Sequence, residues 1–138
     1  LPISHHEVGV LLCDVMGHGA RASLLTFYLR GLMEELIPVA ADTSLFMKKL
    51  NLGLSAIMRH FRSGMFATAF YMVINVYTGK FRFCNAGHPM PLIQRRNIGE
   101  TDLVAKDDKK MSGPALGLIR DFSYTTVEES IEEQSVDE

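Results

Sequence analysis

Residues 66–77 (FATAFYMVINVY) constrain the fold of this chain more than any other stretch, because both of their alternating faces are apolar. Phe66, Thr68, Phe70, Met72 and Ile74 fall on one face, and Ala67, Ala69, Tyr71 and Val73 on the other. Side chains alternate across a strand, so such a run is stable only as a central strand covered on both sides. Residues 7–15 (EVGVLLCDV) read in the same way, as a short strand buried on both faces. Thr78-Gly79 supplies a turn after the central run, and residues 80–85 (KFRFCN) set Phe81 and Phe83 against Arg82 and Cys84. That alternation predicts an antiparallel hairpin.

Helical spacing appears between these strands. Leu25, Leu29, Leu32 and Leu36, widened by Leu24, Phe27 and Tyr28, predict a helix from about Ala20 to Ile37, stopped by Pro38. Asp42 or Thr43 as N-cap opens a second helix to about Phe61, with Phe46, Leu50, Leu54, Ile57 and Phe61 as its stripe and Gly53 as a weak point. After the hairpin, Asn85 to Pro89 breaks the chain and Met90 to Gln94 resumes a strand. Residues 97–112 read as a polar loop, Tyr124 to Val127 as a last strand, and 128–138 as an acidic tail. Strand, helix pair, then a meander of strands is an α+β order, with both helices on one face of an antiparallel sheet.

Composition removes several classes of function. With 138 residues, of which 47% are hydrophobic, the chain supports one domain with a substantial core. A formal net charge of −2 gives no basic footprint for nucleic-acid phosphates or an anionic membrane. Arg30, Glu34 and Glu35 interrupt the most apolar helix, so no membrane span is expected. Cys13 and Cys84 lie in apolar strands and read as reduced, buried thiols, consistent with a cytoplasmic protein. A first residue other than methionine, and a strand arriving almost at once, suggest an excised segment.

The chemistry concentrates at Asp14-Val15-Met16-Gly17-His18-Gly19, where a carboxylate ends a strand and glycines allow close backbone approach before a helix begins. Such a turn suits a divalent cation. DVMGHG, then FATAFYMVIN, NAGHPMPLI and GPALGLI, in that order over residues 7–127, resemble the PPM-type (protein phosphatase 2C-like) serine/threonine phosphatases, and within them the bacterial SpoIIE-type branch. The resemblance implies an αββα sandwich, incomplete here, and a dinuclear Mn²⁺ or Mg²⁺ centre whose bridging water attacks phosphorus directly. It makes Asp14 a metal ligand through its side chain and Val15 one through its backbone carbonyl, with Gly17 and Gly19 shaping the loop. The eukaryotic branch places a histidine two residues after the aspartate, where this chain has Met16. A leaving-group acid therefore does not carry over to His18, which reads as a structural residue at the start of the helix, hydrogen-bonded locally. Asn85, Gly87 and His88 belong to the family's loop beneath the site, with His88 a buried, hydrogen-bonded residue.

The same resemblance requires further acids, one in a Gly-Asp context before residue 7 and one in an Asp-Gly motif after the last strand. No Asp-Gly pair occurs in the chain. Residues 1–138 are thus expected to be a truncated domain, inactive when isolated. The parent protein is expected to dephosphorylate a signalling phosphoprotein such as an anti-sigma-factor antagonist, under an N-terminal sensory domain acting through residues 20–61, and to form a homodimer. Two other readings remain. One is a pseudophosphatase serving as a regulatory binding or dimerisation module; the other is an anion held by DVMGHG at the start of a helix, which Asp14 would oppose. His5 and His6 read as exposed, and Asp107 and Asp108, among Lys106, Lys109 and Lys110, as a solvated charge run.

Overall fold

The computed structural model describes residues 1–61, 64–95, 98–105 and 111–131. In chain order it contains β1 (Glu7–Val15), α1 (Ala20–Glu35), a 3₁₀ turn (Ile37–Val39), α2 (Thr43–Met58), β2 (Ala67–Asn75) and β3 (Lys80–Ala86). Four shorter strands follow: β4 (Leu92–Arg95), β5 (Glu100–Leu103), β6 (Ser112–Gly113) and β7 (Val127–Ser130). The main sheet has five strands in the order β1-β2-β3-β6, with β7 also on β3, while β4 and β5 form a separate hairpin. β1 and β2 pair antiparallel from Glu7 opposite Asn75 to Val15 opposite Ala67.

Both helices pack on one face of this sheet. That face presents Leu11, Cys13 and Val15 from β1, Ala67, Ala69, Tyr71 and Val73 from β2, and Cys84 and Ala86 from β3. Against it lie Leu25 and Leu29 of α1 and Phe46, Met47, Leu50 and Leu54 of α2. The small Ala67 and Ala69 let the helices approach closely, and the Phe46 ring stacks on Tyr71 with centroids 3.9 Å apart. Tyr71 donates its hydroxyl proton to the Ala40 carbonyl at 2.7 Å, so this buried polar tip is satisfied. Burial pushes its phenol up to about 12, which keeps it a donor.

The other face carries Phe70, Phe81, Phe83 and Val127, covered in part by Val104 and Ile93 from the β4–β5 region. The expectation that β1 is buried on both faces fails here. Val8, Val10 and Leu12 are 38%, 39% and 51% exposed, because nothing among the described residues lies over the β1 end of this face. A largely apolar cavity of about 320 Å³ runs from Val10 and Leu12 across Met72 to Leu92.

Element ends differ from the sequence expectations for local reasons. Asp42 is the N-cap of α2, its carboxylate accepting from the Leu45 N–H at 2.9 Å. α1 ends at Glu35 rather than Ile37, and Pro38 sits instead in the first turn of the 3₁₀ segment, where its missing N–H is not needed. α2 stops at Met58, short of Phe61, because His60 and Phe61 donate to Ile57 and Met58 in tighter i to i−3 bonds. Gly53 is where α1 crosses close, since a Cβ there would lie 2.8 Å from Leu32 Cδ1. The expected 97–112 loop contains β5, whose Glu100 to Leu103 pair with β4, and β6, which pairs with β3 in parallel rather than antiparallel sense. The expected strand at Tyr124 begins only at Val127 and runs into the expected acidic tail, placing Glu128 opposite Arg82. Residues 106–110 and 132–138 lie outside the described residues.

Arg82 ties the end of the sheet remote from Asp14 to the helix layer. Its Nη1 donates to Glu7 Oε1 at 2.6 Å and its Nε to the Ala41 carbonyl at 2.9 Å. The Arg82 hydrogen bond, foremost, holds the Glu7 carboxyl below the usual carboxylate range. A depressed folded-state value means that the contribution is fully present above the unfolded value of about 4.3 and is lost as pH falls through the folded value. Glu7→Gln is therefore expected to flatten the acid limb of a urea-stability profile below about pH 4.3. Parallel acid limbs for the two proteins would contradict it.

Candidate metal-site loop

Asp14 stands one residue before the end of β1, exposed, on the face of the sheet turned away from the helices. It pairs with Thr68 across β1 and β2, and paired residues project on the same face, so Thr68 is its direct neighbour. Leu12, Phe70 and Asn85 follow in register on that face, which aligns the start of β2 and the end of β3 with the carboxylate. Cys13 points the other way, into the core. Burial first, then the Asp14 charge, pushes its thiol up to about 11, leaving it protonated and unreactive near neutral pH.

The turn after Asp14 has a backbone that other residues adopt only with strain. Gly17 and Gly19 have φ of 90° and 78°, and a Cβ at either would meet nothing within 4 Å, so backbone conformation rather than crowding selects glycine. Met16 N–H donates to the Phe66 carbonyl at 3.0 Å, continuing the ladder past Val15. Gly19 is the N-cap of α1 without a side-chain cap, and its carbonyl accepts from Ser23 N–H and Oγ, each at 3.1 Å. His18 is exposed and makes no hydrogen bond among the described residues. The local bond expected for it is absent, because the turn aims its ring outward.

The Asn85 to His88 turn closes on the same face. His88 N–H donates to Asn85 Oδ1 and Asn85 Nδ2 donates back to the His88 carbonyl, both at 2.8 Å. His88 Nδ1 lies 2.9 Å from Thr68 Oγ1, which ties the turn to the residue opposite Asp14. Asn85 is buried, whereas His88 is half-buried rather than buried as expected. Gly87 has φ of 68° and its Cβ would lie 3.1 Å from the Ala115 nitrogen, so both conformation and close approach require glycine. Gly87→Ala is expected to destabilise the fold by about 1–3 kcal/mol in urea denaturation. A change within about 0.5 kcal/mol, the range of a surface substitution, would mean that the turn is free to move.

The turn residues Asp14 to Gly19 and Asn85 to His88 are thus brought to one end of the sheet. Thr68 and Ser112, whose hydroxyl reaches Asn85 Oδ1 at 3.3 Å, complete the network and were not singled out from the sequence. The signal for Thr68 was present, as the one hydroxyl on an otherwise apolar strand face. Among the described residues no group of three or more His, Cys, Asp or Glu side chains is placed to hold a metal. One carboxylate with backbone carbonyls does not satisfy the oxygen coordination of Mg²⁺ or Mn²⁺, so the described residues alone do not fit a dinuclear centre.

The chain is 27% identical over 123 residues to the phosphoserine phosphatase RsbP of Bacillus subtilis (strain 168), covering 88% of this chain and 29% of that protein. It superposes on the PP2C phosphatase domain of SpoIIE from Bacillus subtilis with a TM-score of 0.68 and 19% identity, over 96% of this chain and 36% of that one. RsbX in complex with magnesium gives a TM-score of 0.63 and 21% identity, over 94% of this chain and 57% of that one. At these identities the two structural likenesses establish the PP2C-type fold. The family model for stage II sporulation protein E (SpoIIE) matches residues 4–136, and the chain therefore belongs to the SpoIIE family.

Proposed function

We propose that the protein containing this chain is a metal-dependent phosphatase acting on phosphoserine or phosphothreonine of a signalling phosphoprotein, with an anti-sigma-factor antagonist as the substrate class. The observation that carries this reading is the placement of Asp14 at the end of β1, beside Thr68 and the Asn85 to His88 turn, within a SpoIIE-family chain. The phosphoserine phosphatase activity of RsbP supports the reaction class. In this reading Asp14 supplies one carboxylate and Val15 a carbonyl to Mn²⁺ or Mg²⁺, and the remaining acids come from outside the described residues. The metal, when bound, would supply charge neutralisation at the phosphoryl group. The chain's own residues hold the ligand geometry: Gly17 and Gly19 shape the turn, and Thr68 with His88 braces it. His18, exposed and unbonded, has no assigned proton role. The expected cytoplasmic location, sensory domain and homodimer belong to the same proposal; among the described residues no helix is long and apolar enough to cross a membrane.

The absence of a metal-holding cluster among the described residues favours one second reading, a binding or dimerisation module that keeps the fold without turnover. The two separate in one assay. Full-length protein with Mn²⁺ is expected to release phosphate from a phosphoserine protein and to stop on chelation, while residues 1–138 alone give no turnover of para-nitrophenyl phosphate. A full-length protein without turnover in Mn²⁺ or Mg²⁺ would establish the second reading.

A further inference from the structure

We propose that the outer face of α1 is the contact surface of a weak homodimer, in which the α1 helices of two copies of this chain pack antiparallel across a two-fold axis. Leu24 and Phe27 read from the sequence as widening the core face of α1, but they are 62% and 82% exposed. With Gly31 they recur at intervals of four and three residues, on the side of the helix opposite the buried Leu25 and Leu29. Ala20, also exposed, begins the same stripe. Apolar and small residues at this spacing form a seam for a second helix.

Gly31 supplies the independent observation. A glycine inside a helix weakens it relative to alanine, so its position needs a reason. At Gly53 the reason lies within the chain, since a Cβ there would lie 2.8 Å from Leu32 Cδ1, whereas a Cβ at Gly31 would meet nothing within 4 Å. The bare backbone at Gly31 fits the close approach of a large side chain from outside. Antiparallel packing about the stripe seats the Phe27 ring of each copy against Gly31 of the partner subunit.

Charge selects the occupant and its direction. Arg21 and Glu35 flank the stripe on one side, fourteen residues apart, both exposed, and neither side chain has an ion pair or hydrogen bond among the described residues. Antiparallel α1 helices set Arg21 of each copy beside Glu35 of the partner subunit, whereas parallel helices would set like on like. The helix dipoles favour the same direction. Arg30, on the other flank, has Glu34 one turn beyond it as a counter-charge.

The contact is small. α1 has 16 residues and is about 24 Å long, and one helix face of that length falls short of the roughly 1,200 Å² that stable interfaces bury. The dimer is therefore concentration-dependent and separates in dilute solution. It gives the expected homodimer a surface but rests on α1 alone, and not on phosphatase chemistry.

The test is zero-length carbodiimide coupling of the full-length Arg21→Lys protein, which keeps the charge and supplies an amine, read by mass spectrometry of the linked peptides. Positions 21 and 35 are about 21 Å apart along one helix, so an amide joining them forms only between two copies. That link is expected at high micromolar concentration and should fade on dilution. Adding Phe27→Glu, which brings two like charges to the seam, should cut its yield by about tenfold or more while leaving the thermal midpoint of dilute protein in place. Absence of a 21–35 link at high concentration, or a link undiminished by Phe27→Glu, would each overturn the proposal. The link in a protein without turnover would uphold the contact and count only against the phosphatase reading.

Discussion

Asp14→Ala in the full-length protein is expected to lower metal-dependent phosphate release by about a thousandfold or more, with little change in thermal midpoint. The size follows from charge stabilisation of several kcal/mol by a bound metal, at 1.36 kcal/mol for each factor of ten in rate. The preserved stability follows from position. Asp14 is exposed and its side chain makes no hydrogen bond among the described residues, so the fold loses little when the carboxylate is removed. Loss of activity with an unchanged midpoint therefore reports a ligand, whereas loss of both reports a folding defect. Activity retained within tenfold would remove Asp14 from the centre.

Phe46→Ala is expected to have the largest effect on stability, about 3–5 kcal/mol in urea or thermal unfolding. Phe46 is fully buried between α2 and the sheet and stacks on Tyr71, itself fully buried. Truncation leaves a cavity under Tyr71 at the centre of the helix-facing core, and close packing gives the surroundings little room to collapse. Phe27→Ala is the matched control. Phe27 is 82% exposed on α1, so the same chemical change should stay within about 0.5 kcal/mol. Similar losses at both positions would mean that α1 is covered in solution, as a dimer or regulatory contact would require.

The contrast between these aromatics shows what was legible in the sequence and what was not. The bounds of β1 could be read directly and the cap of α2 narrowed to Asp42 or Thr43, because a short apolar run and an Asp-Thr pair before a helical stripe are local signals. The placement of both helices on one sheet face followed from the order of elements. Exposure of Val8, Val10 and Leu12 was not legible, since an apolar strand face states only that it needs a cover and not whether the described chain provides one. β5 was hidden by Glu100 and Asp102, which decorate a hairpin with one solvated face. β7 was hidden because Glu128 and Glu129 look like a solvated tail until Arg82 is found opposite Glu128 and Phe81 opposite Glu129. At the candidate site, Asp14 and the glycines were readable from the turn, but the bond from Thr68 to His88 joins residues twenty apart and appears only when the sheet is assembled.

A crystal structure of the full-length protein soaked in Mn²⁺ decides whether Asp14 is a ligand of a divalent metal in a SpoIIE-family phosphatase. The anomalous peak is expected within about 2.0–2.2 Å of an Asp14 carboxylate oxygen, beside the Val15 carbonyl and on the sheet face shared with Thr68. Manganese bound elsewhere, with the Asp14 carboxylate free in solvent, would contradict it.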